Sequence, residues 1–478
     1  MLVLLLALNV TQPSTSLAWK PCRLEAQPYL PTERAQCTTI NVPLNYEAPT
    51  EKTIALFVAK VPSLAANARP DPLVLIAGGP GQSTEEYYMA ARGAFSRIRL
   101  KRDIIVVDQR GTGRSARMDC PEQEQAEFDQ LALEAIEESV KGCLAQLPHD
   151  PRYFTTSVAV DDLDRVRDAL GVKSWNVFGI SYGTRVGLHY LNEYPESVRA
   201  LIIDGVATRD RTLGPDIALR SQETVEAIFA RCNSDERCSK IVGDPSAHLQ
   251  TILAELKVGP VPTTIMDPET GRPESVDFDL NTFRGVLRLL AYNPDRQASI
   301  PVLLHEAAVK RNFGPLAAFG VRLSDLMANS FAYGMHNAVV CSEDAPIFKR
   351  TPELEAALES TYLGAELMEY MGSACRYWPV GIVDDDFRTP ITAENPILLL
   401  SGELDPITPP VDAERLAQTL VRGTHIVAKG QGHGVAGVGC IPRLMSEFID
   451  APDRSLDTEC VKRSGPFPLA IDVNGPAP

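Results

Sequence analysis

The sequence contains no C-x-x-C pair, so zinc-ribbon and thioredoxin-like redox readings have nothing to stand on. Histidine is scarce, with seven in 478 residues, and no metal-ligand cluster or phosphate-binding loop is evident; no cofactor and no metal are expected. Positive charge is in deficit. Lys and Arg total 46 against 62 Asp and Glu, a formal net charge of −16. That balance argues against nucleic acid or an anionic membrane as a partner, since both require basic patches. No apolar run approaches the roughly 20 residues needed to cross a bilayer, so no membrane span is expected. Internal repeats are also absent.

What is present begins with "MLVLLLALNVTQPSTSLAW". A short apolar run, a polar stretch and Ser16-Leu17-Ala18 fit a signal peptide over residues 1–18, although no Lys or Arg precedes the apolar run. Ten cysteines fall as sequence neighbours: Cys22 with Cys37, Cys120 with Cys143, Cys232 with Cys238, Cys341 with Cys375, and Cys440 with Cys460. An even number behind a signal-like start argues for disulfides and a secreted or periplasmic protein; free buried thiols are the alternative. Hydrophobic residues make up 44% of the chain, ample for one large elaborated domain.

From about residue 38 to 208 the pattern alternates buried strands with amphipathic helices. "TIALFVAKV", "DPLVLIAGG", "RDIIVVDQRGTG", "KSWNVF" and "RALIIDGV" read as strands. "AVDDLDRVRDALG" reads as a helix, with Val160, Leu163, Val166 and Leu170 at helical spacing and Gly171 as its cap. This rhythm predicts an α/β fold: a mostly parallel sheet with helices on both faces. Residues 209–385 are instead rich in helical patterns and predict an inserted helical lid. Strands return in "NPILLLSGELD" and "GTHIVAKGQGHG". The predicted organisation is therefore a core from 19 to 208, the lid over 209–385, and a second core part with an irregular tail over 386–478.

"GISYGTR" (179–185) lies between the strand "KSWNVF" and a helix running toward Pro195. A strand, a Gly-x-Ser-x-Gly turn and a helix form the setting in which a serine hydroxyl is lifted clear of a sheet as a nucleophile. The alternative is an ordinary glycine-rich turn. Ser181 needs a base, and the base needs an orienting carboxylate. His433, flanked by Gly432 and Gly434 after the last strand, is the candidate base. The six other histidines, at 149, 189, 248, 305, 336 and 425, read as packing or surface residues. Asp405, ending "ILLLSGELD", is the candidate acid, with Asp204 in "LIIDG" as its rival. An oxyanion needs two backbone N–H donors. Tyr182, after the serine, supplies one. "AGGPGQS" supplies the other, from Gly79 first and Gly81 second, because Pro80 has no N–H.

Together, Gly78-Gly79-Pro80-Gly81, "DQRGTGRS" (108–115) and "GISYGTR" resemble the α/β-hydrolase peptidases of the proline iminopeptidase and tripeptidyl aminopeptidase group. The likeness runs over most of residues 19 to 462, includes "CRYWP" and the final "GHG", and is greatest to the secreted, disulfide-bearing tripeptidyl aminopeptidase-like branch. Iminopeptidases of the group carry His before Gly-Gly-Pro-Gly, where this chain has Ala77. The resemblance implies an α/β-hydrolase fold with Ser181, Asp405 and His433 as nucleophile, acid and base. Asp108, Arg110 and Arg114 are expected to buttress the oxyanion loop.

The expected activity is that of a serine exopeptidase releasing short peptides or single residues from free N-termini through an acyl-enzyme. A carboxylesterase with the same triad, a proline iminopeptidase and a non-catalytic binding protein on the same scaffold are the alternatives. An exopeptidase of this kind needs a carboxylate, unpaired by the protein itself, to meet the substrate ammonium. Glu343 and Asp344 in "VVCSEDAP" are the first candidates, and Glu85 and Glu86 the rivals.

Overall fold

The computed structural model describes residues 17–26, 31–120, 133–212, 214, 216–266 and 270–475. Residues 1–16, nearly all of the expected signal peptide, lie outside the described residues.

Nine strands form one sheet: β1 (Lys20–Leu24), β2 (Glu33–Pro43), β3 (Thr53–Val61), β4 (Leu73–Ile76), β5 (Ile104–Val107), β6 (Trp175–Ile180), β7 (Val198–Asp204), β10 (Ile397–Gly402) and β11 (Gly423–Ala428). Two further strands, β8 (Val261–Met266) and β9 (Pro273–Phe278), pair with each other as an antiparallel hairpin. The spatial order of the large sheet is β1-β2-β3-β5-β4-β6-β7-β10-β11. β1, β2 and β3 run antiparallel to their neighbours. From β5 to β11 every pairing is parallel.

The parallel strands are apolar on both faces because each face is covered. In β4, Val74 and Ile76 enter one cluster and Leu73 and Leu75 the other, the period of two of an extended chain. On the first face lie the helices Thr156–Ala169 and Tyr182–Glu193, contributing Val160, Leu163, Val166, Val186, Leu188 and Leu191. On the second lie Thr84–Ala91 and Ile441–Asp450, through Tyr87, Tyr88, Leu444, Met445 and Phe448. Burying a large apolar side chain contributes about 1.5–3 kcal/mol, so these two layers carry the fold.

Between β7 and β10 the chain is mainly helical and builds a separate apolar cluster, including Val225, Phe229, Ile252, Phe283, Leu287 and Leu304. Not all of it stands apart. Ala332, Met335, Val339, Ala374 and Trp378 belong to the first-face cluster of the sheet. The hairpin β8–β9 and the edge strand β1 were not among the elements expected from sequence. β8 and β9 carry Pro262 and Pro273 and are largely exposed, which hides the usual strand signal.

All ten cysteines are paired: Cys22–Cys37, Cys120–Cys143, Cys232–Cys238, Cys341–Cys375 and Cys440–Cys460.

Candidate active site

Ser181 sits at the junction of β6 and the helix Tyr182–Glu193 with φ 55° and ψ −126°. A positive φ in a non-glycine residue costs on the order of 1–3 kcal/mol and persists only where the surroundings enforce it. Here they do. The Ser181 N–H donates to Asp204 O at 2.9 Å, and the Thr184 hydroxyl donates to Ser181 O at 2.6 Å. The flanking glycines make the turn possible. A Cβ on Gly179 would stand 2.2 Å from Gly183 O, and one on Gly183 would stand 2.4 Å from Ile76 O. No side chain fits either place.

Tyr182 opens its helix, so its N–H has no acceptor within the helix. Its hydroxyl is buried against Gln109 Nε2 at 3.1 Å and Thr156 Oγ1 at 2.7 Å. The Gly-Gly-Pro-Gly loop follows β4 and passes directly against the serine. A Cβ on Gly78 would lie 2.9 Å from Ser181 Cβ and 3.5 Å from its Oγ. Gly79 and Gly81 both have positive φ, 106° and 108°. Ala332 N–H donates to Gly81 O at 3.0 Å, and His336 Nδ1 lies 3.2 Å from Pro80 O. Residues from far along the chain thus fix this loop from outside.

Asp405 and His433 meet. Asp405 Oδ2 lies 2.8 Å from His433 Nδ1, while Ile407 N–H and Thr408 N–H each donate to Oδ1 at 2.9 Å. The Thr408 hydroxyl donates to Oδ2 at 2.8 Å and lies 3.1 Å from His433 Nδ1. The carboxylate is therefore buried with its oxygens engaged, and its position is over-determined. The His433 N–H donates to Tyr292 O at 2.8 Å, and the Tyr292 ring meets the imidazole edge-on, with centroids 5.3 Å apart. A Cβ on Gly434 would lie 3.0 Å from Ile180 Cδ1, so the histidine loop closes over the residue preceding Ser181. Burial pushes the His433 imidazole down. The charge and hydrogen bond of Asp405, with the Asp204 charge behind them, more than offset this and leave it above its ordinary value.

Asp204 makes a different set of contacts. Both its oxygens accept from Val435 N–H, at 2.9 and 2.8 Å, and Oδ2 also accepts from Ala436 N–H at 2.7 Å. It anchors the backbone just beyond His433. Burial pushes its carboxyl up to about 6, against the opposing pull of those two N–H groups.

Glu343 and Asp344 do not meet the condition set for an ammonium anchor. Both are buried and paired with the protein's own Arg185: Nη1 lies 3.5 Å from Glu343 Oε2, and Nη1 and Nη2 each lie 3.1 Å from Asp344. Thr156 N–H also donates to Glu343 Oε1 at 2.7 Å. The sequence placed the acidic pair correctly after an apolar run but gave no sign of a guanidinium 158 residues away. Of the rivals, Glu85 is buried and paired with Arg114 at 3.2 Å. Glu86 is half-buried; burial, opposed by Arg117, pushes it up to about 7.

Asp108 and Arg114 lie where expected, beside the start of the helix that follows the Gly-Gly-Pro-Gly loop. Asp108 accepts from Ser83 Oγ at 2.9 Å, Glu85 N–H at 3.1 Å and Arg114 N–H at 2.9 Å. Arg110 does not. It donates to Asp162 from Nε and Nη2, both at 2.6 Å, and to the carbonyls of Pro43, Leu44 and Tyr153, tying β2 to the helix Thr156–Ala169.

Thr408 and Tyr292 escaped the sequence reading. Thr408 stands three residues past Asp405, where a hydroxyl next to an aspartate turn is a legible signal. Tyr292 has no such signal, since its contact is made across the fold. Among the described residues, His189, Glu193 and Asp384 bring ligand atoms within 4.8 Å of one another. Arg209 Nη1 already donates to His189 Nδ1 at 3.1 Å, and a guanidinium there opposes a cation.

The description "alpha/beta hydrolase fold" matches residues 71–438. The chain is 26% identical to "Serine protease Hip1" of Mycobacterium tuberculosis, over 90% of this chain and 88% of that protein. It is 24% identical to "Tripeptidyl aminopeptidase" of Streptomyces coelicolor, over 91% of this chain and 84% of that one. A shorter stretch, 28% of this chain, is 29% identical to "Proline iminopeptidase" of Neisseria meningitidis. With the sheet order and the serine turn described above, these similarities say what the chain is: it belongs to the alpha/beta hydrolase family, within the group that holds these peptidases, and is a hydrolase.

Proposed function

We propose that the protein is a serine exopeptidase that releases short peptides from free N-termini, with Ser181 as nucleophile, His433 as general base and acid, and Asp405 as the orienting carboxylate. The observation that carries this reading is the 2.8 Å contact between Asp405 Oδ2 and His433 Nδ1, on loops that close over the strained turn of Ser181. With Nδ1–H held by Asp405, Nε2 is the lone-pair nitrogen that takes the serine proton. Ser181 Oγ then attacks the scissile carbonyl. The developing oxyanion is met by the N–H groups of Tyr182 and Gly79. The leaving amine collects the proton from His433, and water, activated by the same imidazole, releases the acyl group.

The tripeptidyl aminopeptidase similarity supports the exopeptidase reading over a simple esterase. The helical region 209–385 acts as the lid in this reading: Tyr292 braces His433, and Phe331 and Ala332 lie on the oxyanion loop. The five disulfides support a secreted or periplasmic setting.

The test compares kcat/KM for a free-amine tripeptide p-nitroanilide, its N-acetylated form and a p-nitrophenyl ester. An exopeptidase prefers the free amine by about 10- to 100-fold, as expected for an ammonium losing a buried partner. Equal turnover of the free and acetylated peptides refutes the N-terminal reading, and turnover of the ester alone makes the protein an esterase. Ser181→Ala should abolish all of these activities, a loss on the order of 10⁴–10⁶ in kcat, with an unchanged melting temperature.

A further inference from the structure

The loops that carry Asp405 and His433 touch each other just ahead of the two side chains. Leu404 N–H, next to the acid, donates to Gln431 O at 2.8 Å. Both loops are also taken up by one connection of the helical region, residues 291–299, between the helices Leu280–Leu290 and Ile300–Ala308. Its Tyr292 carbonyl receives the His433 N–H at 2.8 Å. Further along, Gln297 is 1% exposed, and its Nε2 donates to Ala291 O at 2.6 Å and to Leu404 O at 3.0 Å.

The two acceptors decide which end of the amide faces them. Both are carbonyls, and only the NH2 group can donate to both. The same amide lies on the base loop. A Cβ on Gly432, the residue before His433, would stand 2.1 Å from Tyr292 O and 3.1 Å from Gln297 Nε2. One buried group thus meets three stretches of backbone: the turn that holds His433, the acid loop at Leu404 and the base loop at Gly432. Separating any of them breaks a bond that leaves a buried carbonyl without its donor, which is costly.

We propose that Gln297 is a positioning residue for the acid–base pair: through Ala291 it shapes the turn that offers the Tyr292 carbonyl to His433, and through Leu404 it sets where Asp405 stands against the imidazole. This role rests on the assignment of Ser181, His433 and Asp405 given above and is independent of which acyl substrate the enzyme takes. The helical region is thereby built into the acid–base geometry rather than only covering it.

The experiment measures, across pH, the rate at which a fluorophosphonate probe labels the full protein. Ser181 Oγ attacks phosphorus, fluoride leaves and the serine proton passes to His433, so the rate reads the pair without a peptide substrate. Burial lowers the imidazole, but the Asp405 and Asp204 charges more than offset it, so the wild-type acid limb should lie above about 6.5. Gln297→Met keeps the side-chain length and removes both donors. It should label about 100-fold more slowly, as for a displacement near 1 Å. Its acid limb should also move down toward about 6.5 as Asp405 draws away from the ring. Gln297→Asn keeps an amide that is one methylene short of reaching both carbonyls, and repeats the test should Gln297→Met not fold. Ile252→Val, a packing change in the separate apolar cluster of the helical region, should lower the melting temperature and leave rate and limb at their wild-type values. An unchanged rate, or a slower rate with an unmoved acid limb, in a folded Gln297 variant overturns the proposal, and so does a shift of the limb as large in Ile252→Val. Equal turnover of free and acetylated peptides would refute the exopeptidase reading and leave this result standing. A wild type that is not labelled, or a Ser181→Ala protein labelled as fast, would remove the triad and the role of Gln297 with it.

Discussion

The Asp204 carboxylate accepts the Ala436 N–H at 2.7 Å, three residues beyond the imidazole that Asp405 holds. Two buried aspartates at adjacent strand ends thus grip one loop, Asp405 by its side chain and Asp204 by its backbone. Their substitutions should separate. Asp405→Asn removes the acceptor that fixes the His433 tautomer and should lower kcat by about 10⁴. Asp204→Asn should leave kcat within roughly tenfold while lowering stability by about 1–3 kcal/mol, the size of a lost acceptor for a buried N–H. Activity of the two variants, each normalised to folded protein, checks this; the reverse order would make Asp204 the acid.

Asp204 also sets a pH dependence of stability. Its carboxyl is pushed up to about 6 in the fold, against about 3.9 in an unfolded chain. The folded state therefore holds this proton more tightly. The stabilisation is complete below about pH 4 and is lost as pH rises through about 6. Urea midpoints across this window should show that decline in wild type on top of the other groups' titration, and a smaller one in Asp204→Asn.

For His433 the sign concerns activity. The base must be neutral to take the serine proton, and its imidazole lies above its ordinary value. Activity should therefore fall on the acid side, with a midpoint in kcat/KM above about 6.5. An acid limb centred well below that value would mean that Asp405 does not carry a charge beside the ring.

Gly183→Ala puts a methyl group about 2.4 Å from Ile76 O, in contact with backbone on a central strand. Nothing there is the flexible end of a side chain. Overpacking of this kind costs about 1–3 kcal/mol or more, and the helix must move away from β4, carrying Ser181 with it. A melting-temperature drop together with a loss of kcat is expected; Gly187→Ala, which meets side chains only, Leu201 Cδ1 at 3.1 Å and Val177 Cγ1 at 3.8 Å, should be milder on both counts.

Cys341 and Cys375 join the segment bearing Glu343 and Asp344 to the helix Glu366–Tyr377. Replacing both by Ala should lower stability by about 2–4 kcal/mol. Peptide mapping without reductant should recover all five nearest-neighbour pairs.

The sheet was legible because each parallel strand is a short continuous apolar run bounded by turn residues, as in "PLVLIAGG" and "PILLLSGELD". The serine turn was legible because its glycines are demanded by contacts that hold for any sequence in that geometry. Asp405 and His433 could be placed because chain order on this architecture constrains them. What stayed hidden depends on contacts between distant parts. Arg185 looks like an ordinary exposed helix residue, yet it is buried against Asp344, 159 positions later. Arg110 sits within a motif beside the oxyanion loop but reaches toward β2 and Asp162 instead. β8 is short and broken by Pro262, and β9 opens on Pro273 with Glu274 and Ser275 exposed behind it, so the Thr263-Thr264-Ile265 run stood without a recognisable partner strand.

The disulfide connectivity has a consequence for the integrity of the molecule. Each bond closes a small ring, from 6 to 34 residues in separation, and no ring encloses another. None links the polypeptide before β7 to that after β10, although β7 and β10 are hydrogen-bonded neighbours in the sheet. Covalently the protein is a linear string of five loops. One backbone scission between Cys238 and Cys341 therefore leaves two polypeptides held together by packing alone, the serine on one and the Asp405–His433 pair on the other. Oxidised or reduced, the cut protein would part into two bands once denatured, and while folded it would be an enzyme assembled from two chains.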